Sequence, residues 1–195
     1  EQVGAIERNG STNRDRTNYY QTVPTTALEY TLFLESDRMG HLLGAVGQAD
    51  LDTQRDVVKN EKRLRDDEPY GLRWTVLMNE AFPRGHPYQH NAIGSMNDLD
   101  AASLADVKAW FQRWYGPNNA ILVLAGDIDL ATAKREVPKY FGHIPASASL
   151  AKLPPMPAPR QRSTRYVLQD RVAQTRINKV WNAAPYGDAD VEALQ

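Results

Sequence analysis

Residues 145–162, PASASLAKLPPMPAPRQR, hold five of the chain's 12 prolines and few large apolar groups, and they limit what the chain can fold into. Proline lacks a backbone donor and fixes φ, so such a run neither continues a helix nor joins the middle of a sheet. It reads as an extended linker that ends one domain over residues 1–144 and begins another over residues 163–195. Some 30 residues cannot bury a core of their own, so that end packs on the first domain or belongs to a longer chain.

Ahead of the linker, Arg16–Pro24 is rich in Thr and Tyr and reads as a strand running up to a turn. Thr26 with Glu29 has capping-box spacing, and Leu28, Leu32, Met39, Leu43 and Val46 follow at roughly helical intervals, with a break expected near Asp37–Gly40. Asp50 opens a second helix, and Leu72–Phe82 forms a shorter one before the loop PRGHPYQHNAIGS. Ser103 and Asp106 cap another, whose stripe is Leu104, Val107, Phe111 and Trp114, and GPNN stops it. AILVLAG then reads as a buried strand, and residues 129–142 as a helix bent or restarted at Pro138. Beyond the linker, STRYVLQD and TRINKVWNAAP read as strands, and a helix starts at Asp188 or Asp190.

One acid stands out in the second helix. At 100° per residue, Leu51, Val57, Val58 and Leu64 fall within one arc whose centre lies almost on Glu61, with Gln54 beside it. Arg55, Asp56, Lys59, Lys62, Arg63 and Asp66 take the opposite, solvated side. Glu61 is therefore expected to face inward, where a carboxylate needs a base, hydrogen-bond donors or a metal ion. A structural ion pair, a half-exposed acid and a ligand all satisfy the pattern.

Few other features carry chemistry. The net charge of −1, with acids and bases mixed, gives no basic field for nucleic acid or an anionic membrane, so neither is expected as a partner. No apolar run approaches the roughly 18 residues of a membrane span, and EQVGAIERNG has no signal-peptide core. The sequence starts without Met and stops as a helix begins, so a targeting segment lost from a longer precursor stays open. The absence of cysteine leaves only His, Asp and Glu as metal donors. His86 and His90 have the i, i+4 spacing of a helical zinc site, but Pro87 and flanking turn residues place them in a loop. His41 and His143 are isolated in sequence, and Asp127 and Asp129 are explained by capping the helix that follows.

The blocks DRTNYYQTVP, LESDRMG, QRDVVKNEKR, PYG, GHPY, IGSMNDL, WYGPNNAILVLAGDID and YFGHIP, in this order, resemble bacterial members of the pitrilysin/insulinase family of zinc peptidases, the inverzincins. The likeness runs from residue 1 to about 145, and the linker with YVLQD and TRINKVWNAAPYGDAD resembles the opening of that family's second homologous domain. The resemblance implies an α+β fold, a mostly antiparallel sheet with helices packed on one face. It implies a zinc-dependent endopeptidase acting on peptides or unfolded proteins, with the zinc held by two histidines of an H-x-x-E-H helix and a distant glutamate. The position matching that third ligand is Glu61, which would explain an inward acid.

Two departures accompany the likeness. A glutamate common seven residues before the ligand is Gln54 here, which can support the metal site but adds no charge. No H-x-x-E-H occurs in these residues; in relatives it lies upstream of the region matching Glu1, so the sequence reads as a fragment with one ligand of three, no catalytic residue of its own and no expected bound Zn²⁺. The segment NGSTNRDRT matches an edge strand where relatives add substrate, so Ser11, Thr12 and Asn13 are candidate substrate-binding residues, a polar turn being the plain alternative. Further partners implied are the remaining domains of the same chain, and a second copy covering the strip of Leu51, Val57, Val58 and Leu64. A periplasmic or secreted setting is what bacterial relatives imply. The family also holds non-catalytic homologues that act as companion subunits or scaffolds, which is the alternative.

Overall fold

A computed structural model describes residues 3–151, 153–154, 156–159, 162–185 and 187–192. Two strands, β1 (Ile6–Thr12) and β2 (Thr17–Thr22), are followed by seven helices among these residues: α1 (Leu28–Ala45), α2 (Gln48–Asp67), α3 (Arg73–Ala81), α4 (Met96–Ala101), α5 (Leu104–Trp114), α6 (Leu130–Phe141) and α7 (Ala189–Glu192). The fold is a helix-rich α+β arrangement with a small antiparallel sheet. It divides into two compact units, residues 1–55 with 97–152, and residues 56–96 with 153–195.

In the first unit β1 and β2 form a hairpin in the register Gly10 with Tyr19, Ser11 with Asn18 and Thr12 with Thr17. Asn13 makes its turn: the side-chain oxygen accepts the amides of Asp15 and Arg16 at 2.9 and 2.8 Å, the local bonding that suits Asn to turns. Tyr19 and Gln21 share one face of β2, as period-two geometry requires, and both reach the helices. Gln21 donates to Glu35 of α1 at 2.9 Å, the Arg38 guanidinium lies 3.6 Å from the Tyr19 ring centroid, and the hydroxyls of Tyr19 and Tyr115 are 2.9 Å apart.

Leu32 of α1, 1% exposed, is the most deeply buried large side chain, with Ala27 and Ile144 also buried in this unit. The expected Thr26–Glu29 capping box does not form: Thr25–Ala27 is a 3-10 turn, and Glu29 instead accepts from Lys139 at 2.5 Å and Tyr140 at 2.8 Å on α6. The expected break near Asp37–Gly40 is also absent, and α1 runs unbroken past it. Gly40 faces Ile144 closely, with a Cβ there falling 3.2 Å from Ile144 Cγ1, so packing contact compensates the helix propensity that glycine lacks. Likewise α6 continues through Pro138, after Asp129 caps its start by accepting the Thr132 amide at 2.8 Å.

The Ser103–Asp106 capping box is formed, with amide contacts of 3.1 and 2.9 Å. The Ser103 hydroxyl and amide hold the Asp106 carboxyl below its ordinary range. Residues 120–126, expected as a buried strand, form no strand and are not buried: Ile121 is 92% exposed. The physical reason is that a strand needs a hydrogen-bonded neighbour, and the sheet among the described residues has only two members.

In the second unit, Gly71 ends the turn after α2, where a Cβ would collide with the Arg65 carbonyl oxygen. The loop 83–95 is built of turns, including His86 amide to Pro83 carbonyl at 3.0 Å, which keeps His86 and His90 off any helix. Among the described residues, STRYVLQD and TRINKVWNAAP, like residues 120–126, are not strands. Asp188 accepts the Asp190 amide at 3.0 Å and starts α7, as read from the sequence.

Burial first, and then the bond to Tyr115, raise the Tyr19 phenol to about 12. The folded state therefore retains a proton that the unfolded chain releases near pH 10, so Tyr19 stabilises the fold below pH 10 and that contribution falls as pH rises towards 12. Chemical unfolding of the wild type should show a loss of stability across pH 10–12 that Tyr19→Phe reduces; equal losses in both would contradict this assignment.

Candidate metal-ligand helix and peptide edge

The buried flank of α2 is set by its cations. Arg55, whose side chain is only 17% exposed, donates Nε to the Leu99 carbonyl at 2.8 Å, Nη2 to the Ala102 carbonyl at 2.7 Å, and Nη1 to Asp52 at 2.6 Å. Lys62 is buried and its Nζ donates to Asp66 at 2.9 Å. Long cationic side chains bury their stems and satisfy their heads, so they can take a packed face that a hydrophobicity pattern assigns to solvent. Leu51 and Val58 are partly buried on the same flank.

That choice corrects the expected direction of Glu61. The packed flank is centred roughly 100° around the helix from Glu61 at 100° per residue. Glu61 is 57% exposed and does not face inward. It stands with Gln54, Val57 and Leu64 on an open strip, the two apolar members being 54% and 63% exposed. Its Oε1 accepts from Arg65 Nη2 at 2.6 Å, one turn further along the helix. This is the ion-paired, half-exposed arrangement that the residue pattern left open.

Zinc takes three or four protein ligands, and among the described residues no group of three His, Cys, Asp or Glu side chains is arranged to hold an ion. Glu61 and Gln54 alone do not fit zinc. The other histidines do not change this. His41 and His143, isolated in sequence, stack at 5.7 Å, with His41 Nδ1 3.3 Å from Asp37; His90 Nδ1 lies 3.2 Å from the Asn91 carbonyl oxygen.

Ser11, Thr12 and Asn13 lie together at the tip of the hairpin. Their side chains are engaged locally: Ser11 donates to Asn18 at 2.5 Å, Thr12 and Thr17 hydroxyls are 3.0 Å apart, and Asn13 forms the turn. Among the described residues β1 pairs only with β2, so its other backbone edge carries no ladder. Such an edge can accept an extended peptide through main-chain bonds. The hairpin belongs to the first unit and Glu61 to the second. Arg55 and Lys62, which the sequence pattern put on the solvated side, were both misplaced; Asp52 three residues before Arg55 and Asp66 four residues after Lys62 were their local signals.

Residues 101–195 match the family described as Peptidase M16 inactive domain, a range that begins beyond Glu61. The chain is 29% identical over 180 residues to the zinc protease PqqE of Helicobacter pylori, a match spanning 91% of this chain and 39% of that protease. A solved protease structure from Helicobacter pylori superposes with a TM-score of 0.73 at 28% identity, covering 82% of this chain and 38% of the other. The ferredoxin protease FusC, solved as a point mutant in complex with Arabidopsis ferredoxin, gives a TM-score of 0.63 at 29% identity over 74% of this chain and 16% of that one. The chain thus spans about two-fifths of the length of the curated relative. The comparisons bear out the resemblance to the pitrilysin/insulinase peptidases, and the curated relative from Helicobacter pylori is named a zinc protease.

An exposed Glu–Arg pair one turn apart contributes little, about 0.2–0.5 kcal/mol. Glu61→Gln in residues 1–195 should therefore change unfolding free energy by no more than about 0.5 kcal/mol. Calorimetric titration with zinc should give no saturable micromolar binding by the wild-type chain. A micromolar site abolished by Glu61→Ala would reveal ligands that the described residues do not bring together.

Proposed function

We propose that this relative of the M16 zinc proteases is part of a zinc-dependent endopeptidase acting on peptides or unfolded proteins, in which Glu61 supplies the third metal ligand. The observation that carries the reading is the open strip of α2, where Glu61 stands with Gln54, Val57 and Leu64 and is paired with a solvent-exposed Arg65. An exposed pair is exchanged at small cost, so the carboxylate is available to a cation brought by another segment. Val57 and Leu64 offer the apolar seat such a segment needs. The H-x-x-E-H histidines and the general base come from outside these residues in this reading, and Gln54 supports the ligand by hydrogen bonding. The free edge of β1 near Ser11, Thr12 and Asn13 receives substrate as an added strand.

Residues 1–144 then form the C-terminal part of a first peptidase-like domain, residues 145–162 its linker and residues 163–195 the beginning of a second. The setting is periplasmic or secreted. Among the described residues no helix is long and apolar enough to cross a membrane.

A second reading is favoured by one finding, the match of residues 101–195 to a domain described as inactive. On it, the chain comes from a non-catalytic companion subunit or scaffold. The two diverge in the full-length protein. The first predicts stoichiometric zinc and cleavage of an unfolded peptide, with Glu61→Gln lowering zinc occupancy at least about tenfold, the scale on which metal-site ligands and their supports act. Zinc binding and peptidase activity unchanged by Glu61→Gln would overturn it, and a purified protein with neither zinc nor activity would establish the second.

A further inference from the structure

The Pro-rich stretch is met, inside the second unit, by two side chains remote in sequence. His86 is buried, stacked on Phe82 at 4.8 Å and edge-on to Tyr88 at 5.6 Å. Its Nδ1 accepts the Tyr88 amide at 3.0 Å, which leaves the ring's proton on Nε2. Nε2 lies 2.9 Å from the Met156 carbonyl oxygen, so the imidazole donates there. Asn182 uses both hydrogens of its amide: one goes to the Ala158 carbonyl at 2.6 Å, the other at 2.7 Å to Ala81, the last residue of α3.

Sequence chemistry explains why the contacts fall on carbonyls. Pro157 has no N–H, so the backbone between Met156 and Ala158 cannot join a ladder through that residue, while its neighbours' carbonyls still need donors. A carbonyl at the end of α3 has the same need, because the last turn of a helix leaves acceptors unpaired. His86 and Asn182 meet these needs together. Most described side chains of the stretch are exposed, Met156 at 46% among them, so the backbone is what is gripped.

We propose that His86 and Asn182 form a two-point latch that binds the Pro-rich stretch at Met156–Ala158 through its carbonyls, making it a fixed strap on the end of α3 rather than a free hinge. The latch is independent of any metal or peptidase reading. It gives the histidine of GHPY a function in the linker, and it makes the linker a partner of the loop 82–88.

Backbone ¹⁵N relaxation on residues 1–195 tests this, with His86→Phe, Asn182→Ala and the double variant. The Phe variant keeps the ring stack and loses both hydrogen bonds. In the wild type, Met156 and Ala158 should show order parameters of about 0.85, falling below about 0.6 in the double variant. Long-range ¹⁵N–¹H correlation should show His86 protonated on Nε2 in the wild type and in Asn182→Ala. Mobile Met156 and Ala158 in the wild type, unchanged values in a folded double variant, or an Nδ1–H tautomer would overturn the latch. Should His86→Phe fail to fold, the exposed Asn182→Ala alone decides through the mobility of Ala158.

Discussion

The three bonds of the Arg55 guanidinium set the character of α2. They hold this helix against the carbonyls at and just after the end of α4, and they require the Arg55 flank to be the packed one. A guanidinium has five donors in a planar fork and keeps its charge, so a site with three acceptors holds it firmly, whereas an apolar residue at the same place would leave the carbonyls of Leu99 and Ala102 without these bonds. With Arg55 half-buried and Lys62 buried, the strip of Gln54, Val57, Glu61 and Leu64 turns outward. Two apolar side chains and a carboxylate are thus presented on one open face, and the functional reading rests on that arrangement.

The parts of the fold legible in the sequence are those where local chemistry decides. The Ser103–Asp106 box, the Asp129 cap, the loop around His86 and the helix start behind Asp188 each depend on residues within a few positions of one another. Long-range competition decided the others. Glu29 was drawn from its cap to Lys139 and Tyr140, more than a hundred positions away, and Gly40 was kept helical by Ile144. The direction of Glu61 was misread because the wheel ranks faces by hydrophobicity, and neither Arg55 nor Lys62 signals in isolation that its stem is buried. Periodicity singled out Glu61, and the block QRDVVKNEKR, as a family likeness, matched it to the third-ligand position.

Three apolar segments, around Ile121, Val167 and Ile177, have strand composition without a ladder among the described residues. A chain that leaves such backbone unpaired also leaves its side chains in water, and both costs are removed only by neighbours. The curated relative is more than twice this length, which makes the rest of a longer protein the natural source of those neighbours in the proposed reading. The Pro-rich stretch behaves differently, because side-chain donors from the loop and the tail meet its carbonyls.

The central claim is that the carboxylate of Glu61 binds a metal once the rest of the protein is present. Anomalous diffraction at the zinc edge from crystals of the full-length protein measures this directly. The account predicts a zinc peak with a Glu61 oxygen at about 2.0–2.2 Å and Arg65 displaced from it. A fully occupied zinc whose ligands do not include Glu61, with the Glu61–Arg65 pair intact, would contradict it.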